Sequence, residues 1–168
     1  MIYHFRKAEI NEIQTIWAIL QQAILRRKND GSNQWQDGYP NLAVVRKDIE
    51  KGYGHALLDR ENIIGYCAIL INDEPEYLKI DGSWLTNTDF VVFHRVAIST
   101  AYLGQNLSKK MIDFIEDYAT SLNIKSLKAD TNYDNFAMMK ILEKSGFKFC
   151  GIVYFRGSQR RAYEKVLE

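Results

Sequence analysis

The fold is decided by the stretch Val96-Ala-Ile-Ser-Thr-Ala-Tyr-Leu-Gly-Gln-Asn-Leu-Ser-Lys-Lys-Met111. An apolar, β-rich segment, Phe90–Ile98, leads into a short loop that becomes the start of an amphipathic helix. The first amides of such a helix lack intrahelical partners and lie at the positive end of its dipole, so we expect the loop to bind an anion. Gly104 lets a ligand approach the backbone closely, Asn106 adopts positive φ at low cost, and Lys109 adds positive charge.

The segments on either side of this stretch predict an α+β fold. Apolar residues recur at strand and helix spacing in the order β-α-α-β-β-β-α-β-α-β-β, which predicts about seven strands and four helices. Phe90–Ile98 is apolar on both faces, as is typical of a central strand, and Pro40 is expected to start the second helix. Asn72–Thr88 is expected to be irregular, with Trp84 exposed. No repeat or linker interrupts the chain, so we predict one domain over residues 1–168.

Composition and charge argue against several classes of protein. Lys and Arg total 22 and Asp and Glu total 21, and this near balance gives no general attraction to nucleic acid or anionic membranes. The longest apolar run, Ile63–Ile71, is too short to span a bilayer, and the first residues are charged too early for a secretory signal. Three scattered histidines show no metal-ligand spacing. We therefore expect a soluble, cytoplasmic protein with no metal and no nucleic-acid or membrane partner.

Two motifs resemble those of the GNAT superfamily of N-acetyltransferases. The superfamily's acetyl-CoA loop has the pattern Arg/Gln-x-x-Gly-x-Gly/Ala, where this chain reads Leu103-Gly104-Gln105-Asn106-Leu107-Ser108. The chain departs from the pattern at the first, fourth and sixth of these positions. The later motif, roughly Asn-x-x-Ala-x-x-Leu-Tyr-Glu-Lys-x-Gly-Phe, reads Asn135-Phe-Ala-Met-Met-Lys-Ile-Leu-Glu-Lys-Ser-Gly-Phe147. Here Leu142 replaces the tyrosine that many relatives use as a general acid.

The resemblance implies the fold, the activity and the co-substrate. The expected fold is the GNAT-type acyl-CoA N-acyltransferase fold, with a central mixed sheet of about seven strands flanked by four helices. The expected activity is acetyl-CoA-dependent acetylation of a primary amine, with a small molecule as the acceptor and a general base assisting direct transfer. The implied cofactor-binding residues are Val96, Ala97, Ile98, Leu103, Gly104, Gln105, Asn106, Leu107, Ser108, Lys109 and Asn135.

Three residues are candidates for proton transfer. His94 lies on the predicted central strand, where arylalkylamine N-acetyltransferases carry a histidine used in proton removal. Asp130 lies where ribosomal-protein N-terminal acetyltransferases place a glutamate base. Tyr133 is the nearest aromatic hydroxyl in sequence to the motif that has lost its tyrosine, and it is our candidate acid. Each also has a structural interpretation, as a buried histidine, a loop-capping aspartate and a surface tyrosine.

The acceptor site is expected to involve the connection between the first two helices. In the superfamily this connection overhangs the acceptor. Trp35, Tyr39 and Trp84 could form an apolar wall, while Gln34 and Asp37 could recognise a polar or cationic acceptor.

Two alternative functions stay open on the sequence. The same fold could acetylate the N-terminus or a lysine of a protein, so the partner is a small-molecule amine or a peptide amine. The three departures from the acetyl-CoA loop pattern, together with Leu142, also fit a non-catalytic acyl-CoA-binding module. A homodimer is a further possibility.

Overall fold

The computed structural model describes residues 2–168 and confirms the α+β fold. The helices are α1 (Ile13–Asn29), α2 (Leu42–Glu50), α3 (Leu107–Ser121) and α4 (Phe136–Lys144). The strands are β1 (Tyr3–Lys7), β2 (Gly54–Asp59), β3 (Asn62–Ile71), β4 (Asp81–Gly82), β5 (Phe90–Ile98), β6 (Ser126–Asn132), β7 (Lys148–Phe155) and β8 (Ser158–Val166). Short 3-10 helices cover Ile10–Glu12, Pro75–Lys79 and Thr100–Tyr102. The eight strands form one mixed sheet in the order β1-β2-β3-β5-β6-β8-β7-β4.

The strand that sequence reasoning did not anticipate is β4. It has only two residues, Asp81 and Gly82, which pair antiparallel with Ile152 and Gly151 of β7. Its backbone lies so close to β7 that a Cβ on Gly82 would clash with the Cys150 carbonyl oxygen. A strand this short shows no alternation of apolar and polar residues, so periodicity could not detect it.

The second helix begins later than predicted, at Leu42 instead of Pro40. Asn41 is its N-cap, because its side chain accepts a hydrogen bond from the Val44 amide at 3.0 Å. Asparagine is among the preferred residues at this position since its oxygen satisfies an amide that the helix leaves unpaired.

The chain divides into two compact units. Unit 1 comprises the chain through Ile69 together with Arg95–Met111. In its core, the apolar faces of α1 and α2 pack with side chains of β2, β3 and β5. Apolar residues that recur at helical spacing in the sequence form these faces. The prediction of a single domain stays a prediction.

Unit 2 comprises Leu70–His94 and Ile112–Glu168. Within it, Phe90–Val92 of β5 and Ser126–Lys128 of β6 form a parallel ladder, and β6 pairs antiparallel with β8 on its other side. Since side chains alternate along a strand, Lys128 and Asp130 of β6 lie on one face of the sheet.

Glu164 of β8 is the buried acid that organises unit 2, with no solvent exposure. Its carboxylate accepts hydrogen bonds from the amides of Leu85 and Thr86, from the Thr86 hydroxyl and from the Ser126 hydroxyl. The segment that precedes β5 is therefore held against β8 by one charged group.

We expect Glu164→Gln to lower the free energy of unfolding by about 2 kcal/mol, because an amide replaces one acceptor oxygen with a donor that faces other donors. Urea denaturation measures the change. The exposed Glu168→Gln is the matched control and should leave the unfolding midpoint unchanged. Equal midpoints for the two variants would contradict the role of Glu164.

Candidate active site

The loop between β5 and α3, in unit 1, has the backbone that the sequence predicts. Gly104 and Asn106 have φ of 78° and 60°, so the positive φ expected at Asn106 is confirmed. The Lys110 amide donates to the Asn106 carbonyl at 3.1 Å and begins the α-helical pattern. This pattern begins after the first turn, and an α-helix does not itself supply acceptors for the amides of its first turn. This is the geometry of an anion site.

The side chains of this loop leave its backbone accessible. Leu103, Gly104, Gln105 and Asn106 are exposed, while Leu107 is buried and anchors the start of α3. A Cβ added to Gly104 would meet nothing within 4 Å, so there is open space on that side of the loop. The residues present fit a phosphate group bound by backbone amides.

The end of β5 is fixed by side chains of α1. Val96, Ala97 and Ile98 are buried, and the Ile98 carbonyl accepts a hydrogen bond from Arg26 at 2.7 Å. Arg26 also donates to the Thr100 hydroxyl at 2.8 Å, and the Thr100 amide donates to the Gln22 side chain at 2.8 Å. The point where the strand becomes the loop is thus held by three polar contacts, of which the one between Arg26 and Ile98 is half-buried.

Arg95, in the middle of β5, has a left-handed backbone with φ of 58°. Its Nε and Nη2 donate to the two carboxylate oxygens of Asp48 at 2.9 and 2.7 Å, and its Nη1 donates to the Tyr39 hydroxyl. Tyr66 donates to the same carboxylate at 2.9 Å, and burial followed by the Asp48 charge raises its pKa. Tyr39, predicted to lie at the acceptor site, is thereby tied to β5.

His94, at the end of the unit 2 part of β5, lies among carboxylates. Its Nε2 is 2.6 Å from Oε2 of Glu74, and its Nδ1 is 3.6 Å from Oδ2 of Asp130. The Tyr77 hydroxyl donates to the same Asp130 oxygen at 2.6 Å. The structure therefore brings together His94 and Asp130, both predicted as bases, and adds Glu74 and Tyr77, which sequence reasoning missed.

Tyr77 acts as a fixed donor to Asp130. Its side chain is buried, and burial, together with the charges of Asp130 and Glu74, raises its pKa well above the ordinary value for tyrosine. The hydroxyl therefore keeps its proton and occupies one lone pair of Asp130. An alternating pattern could not reveal either missed residue, because both lie in the segment expected to be irregular.

The remaining unit 2 candidates lie near the start of α4. Tyr133 is in the turn after β6 with 57% of its surface exposed. Asn135 is buried and is the N-cap of α4, since its Oδ1 accepts from the Met138 amide at 3.1 Å. The structure thus gives Asn135 a capping contact in addition to its predicted role at the cofactor.

The acceptor residues predicted in the loop between α1 and α2 have different environments. Trp35 belongs to the core of unit 1, where the Arg27 guanidinium lies 5.2 Å from its ring centre. Gln34 is also buried, and its backbone amide donates to the Ser32 hydroxyl at 3.1 Å. Asp37, in contrast, is exposed. Core packing therefore accounts for much of the Trp35 surface.

Trp84, in unit 2, is half-buried, which corrects the expectation that it is exposed. Its Nε1 donates to the Tyr77 carbonyl at 2.9 Å, and the two ring centres are 4.8 Å apart. The indole packs there because the 3-10 helix at Pro75–Lys79 brings Tyr77 beneath it. Trp84, Glu74 and Lys128 line one cavity of about 460 Å³.

Comparison with known proteins identifies the family. Residues 17–147 match the sequence model of the Acetyltransferase (GNAT) family. The chain belongs to the GNAT acetyltransferase family. None of the curated proteins compared with the chain matches it.

Solved structures agree with this assignment. A GNAT-family acetyltransferase from Streptococcus agalactiae is 32% identical, with a TM-score of 0.91 over 99% of this chain and 96% of that one. An acetyltransferase from Salmonella typhimurium, solved with its cofactor acetyl-CoA, is 16% identical with a TM-score of 0.68 over 100% and 95% of the two chains. A chain of the NatC complex bound to Gag peptide and CoA is 13% identical with a TM-score of 0.70 over 100% of both. At these two lower identities the likeness concerns the fold.

The co-substrate of GNAT enzymes is acetyl-CoA, and the loop from Leu103 to Ser108 is the segment predicted from the sequence to match the family's acetyl-CoA motif. Leu142, predicted to occupy the family's tyrosine position, is fully buried. Within residues 2–168, no group of three or more His, Cys, Asp or Glu side chains is arranged to hold a metal ion. No helix in this part of the chain combines the length and apolar character needed to cross a bilayer.

Proposed function

We propose that the protein is an acetyl-CoA-dependent N-acetyltransferase that acetylates the primary amine of a small molecule. Family membership supports acetyl transfer, and the positive φ of Gly104 and Asn106 at the start of α3 is the observation that carries the proposal. In this proposal the amides from Gly104 to Lys109 bind the pyrophosphate of acetyl-CoA, and Leu103, Gln105, Leu107 and Ser108 contribute through their backbone.

The remaining cofactor contacts belong to the same proposal. Val96, Ala97 and Ile98 present backbone N–H groups to the thioester carbonyl, which stabilise negative charge on its oxygen as the amine attacks. Asn135 contacts the cofactor at the start of α4. The role of Asn135 is carried over from the family's later motif, and that of Val96, Ala97 and Ile98 from the splayed strands of the family's fold.

The proton of the acceptor ammonium goes to His94 in our proposal. Glu74 holds Nε2 of His94 at 2.6 Å, whereas Asp130 is 3.6 Å from Nδ1 and accepts the Tyr77 hydroxyl. The contacts therefore favour His94, supported by Glu74, over Asp130 as the base. The neutral amine then attacks the thioester carbon, the C–S bond breaks, and the thiolate of CoA leaves with a proton from Tyr133 or from water. The second proton that the attacking nitrogen loses replaces this proton on Tyr133 or on water.

The proposed acceptor residues include both the predicted apolar residues and the predicted polar ones. Trp84 lines a cavity of about 460 Å³, a size that suits a small molecule. Gln34, Trp35, Asp37 and Tyr39 stay proposed acceptor residues. The likeness to the NatC chain supports a peptide amine as the alternative acceptor.

The first test is CoA binding, which should raise the melting temperature in proportion to the logarithm of CoA concentration over Kd. Asn106→Val should weaken binding about tenfold, because a β-branched residue resists positive φ. Asn106→Gly should retain binding. Asn123 has φ of 57° at the other end of α3, so Asn123→Val is a matched control for the backbone strain. A folded protein without a thermal shift at millimolar CoA would remove the proposal.

The second test concerns the base. His94→Ala should lower kcat by roughly 10²-fold, the usual contribution of one positioned acid or base, and should leave CoA affinity nearly intact. His4→Ala, at an exposed histidine, is the control. The measurement is thiol release from acetyl-CoA with a panel of amines across pH. A pH-rate profile of His94→Ala that overlays the parent profile would transfer the role to Asp130 or to water. A protein that binds CoA and acetylates no amine would be a binding module.

The third test concerns the acid. Tyr133→Phe removes only the hydroxyl, so a fall in kcat with unchanged KM would support proton donation to the leaving thiolate. The thiolate is a fairly good leaving group, since an ordinary thiol has a pKa of about 8.5, and we therefore expect about a tenfold fall at most. Tyr154→Phe, at another exposed tyrosine, is the control. Full activity in Tyr133→Phe would mean that the proton comes from solvent.

A further inference from the structure

The cavity beside the segment before β5 contains a buried lysine. Lys128 of β6 is only 4% exposed, and its ammonium lies 4.5 Å from the ring centre of Trp84 and 4.2 Å from that of Phe90. Both rings and Lys128 line the cavity. The ammonium is therefore held between two aromatic faces, with its remaining surface toward the cavity.

Within residues 2–168, this ammonium has no hydrogen-bond acceptor and no ion-pair partner within 4 Å. Glu164 acts on Lys128 through its charge, and its carboxylate already accepts hydrogen bonds from Leu85, Thr86 and Ser126. Lysine has three N–H donors, and the charge of a largely buried lysine needs hydrogen-bonding or electrostatic partners. Cation–π contacts satisfy part of this requirement, and an anionic group in the cavity would satisfy the rest.

Another part of the cavity lining carries the opposite charge. Glu74 lines it and holds His94 through Oε2, while its other oxygen, Oε1, forms no hydrogen bond in the described residues. A carboxylate oxygen in this position can accept a hydrogen bond from an ammonium group.

The two charges belong to one cavity, because Glu74 and Lys128 both line it. An acceptor with its amine at Glu74 and an anionic group at Lys128 would therefore lie within this cavity. Tyr77, Ile80 and Trp84 supply apolar surface for the rest of such a molecule.

We propose that the acceptor carries an anionic group beside its amine, and that Lys128 binds this group, so that an amino acid with an apolar side chain fits the cavity. The inference rests on the proposed acetyltransferase function and specifies its substrate class. Lys128 is a specificity residue in this account, with no part in the chemical step.

The test compares acceptors that carry the anionic group with acceptors in which a neutral amide replaces it. Phenylalanine, methionine and leucine are assayed beside their carboxamides, by thiol release from acetyl-CoA and by calorimetric binding to the CoA-loaded protein. We expect kcat/KM to favour the acids about tenfold to a hundredfold, the range for hydrogen bonds to charged groups. Lys128→Met should remove this preference by lowering kcat/KM for the acids alone.

Two further variants separate recognition from folding. Lys128→Arg keeps the charge and should retain a preference for the acids, and the exposed Lys148→Met should behave as the parent. CoA binding by thermal shift reports the proposed function independently of the acceptor. Carboxamides that bind and react as well as the acids, or acids that neither bind nor react, would overturn the inference while CoA binding persists. Equal losses for acids and amides in Lys128→Met would also overturn it and would assign Lys128 to packing.

Discussion

Arg95 adopts a left-handed backbone in the middle of β5, and its guanidinium is fixed by both oxygens of Asp48. A positive φ at a residue with a side chain costs about 1–2 kcal/mol, so the surrounding contacts must maintain it. The two side chains are 9% and 7% exposed, and in this environment loss of either partner would leave an uncompensated buried charge. The pair therefore acts as a constraint that fixes where the regular strand is interrupted. Before it, β5 pairs with β6, and after it the chain leads to the loop that contains Asn106.

A second consequence concerns the environment of His94, the residue just before Arg95. Its two ring nitrogens have unequal partners, because Tyr77 occupies the Asp130 oxygen that faces Nδ1 while Glu74 lies within hydrogen-bond distance of Nε2. Because Tyr77 is buried and keeps its proton, it engages Asp130 and leaves Glu74 as the carboxylate in hydrogen-bond contact with His94. The same argument explains why Asp130, the more conspicuous acid in the sequence, has the weaker contact. Its position on β6 makes it a partner of Tyr77.

Residues whose role depends on local backbone could be predicted from the sequence. The helices and long strands follow from periodicity, and the positive φ of Asn106 follows from a strand–loop–helix junction, because each depends on neighbours within a few positions. The partners of His94 and Asp130 could not be predicted in this way, because they are distant in sequence. Glu74 is 20 residues from His94, and Tyr77 is 53 residues from Asp130. No local pattern records such pairs, and without the fold an acid and a tyrosine in a polar segment resemble surface residues.

The segment from Asn72 to Thr88 shows how a stretch without periodicity becomes ordered. The Asn72 amide donates to the Phe90 carbonyl, and the Asn72 side chain accepts from the Phe90 amide. Trp84 donates to the Tyr77 carbonyl. Glu164 accepts from the amides of Leu85 and Thr86. These contacts satisfy backbone groups that no sheet or long helix would satisfy, which buried positions require. They also fix the cavity wall before any ligand arrives, so binding would not have to order it. Because polar contacts from β8 and β5 position this irregular segment, the cavity wall is supported by two strands of the sheet.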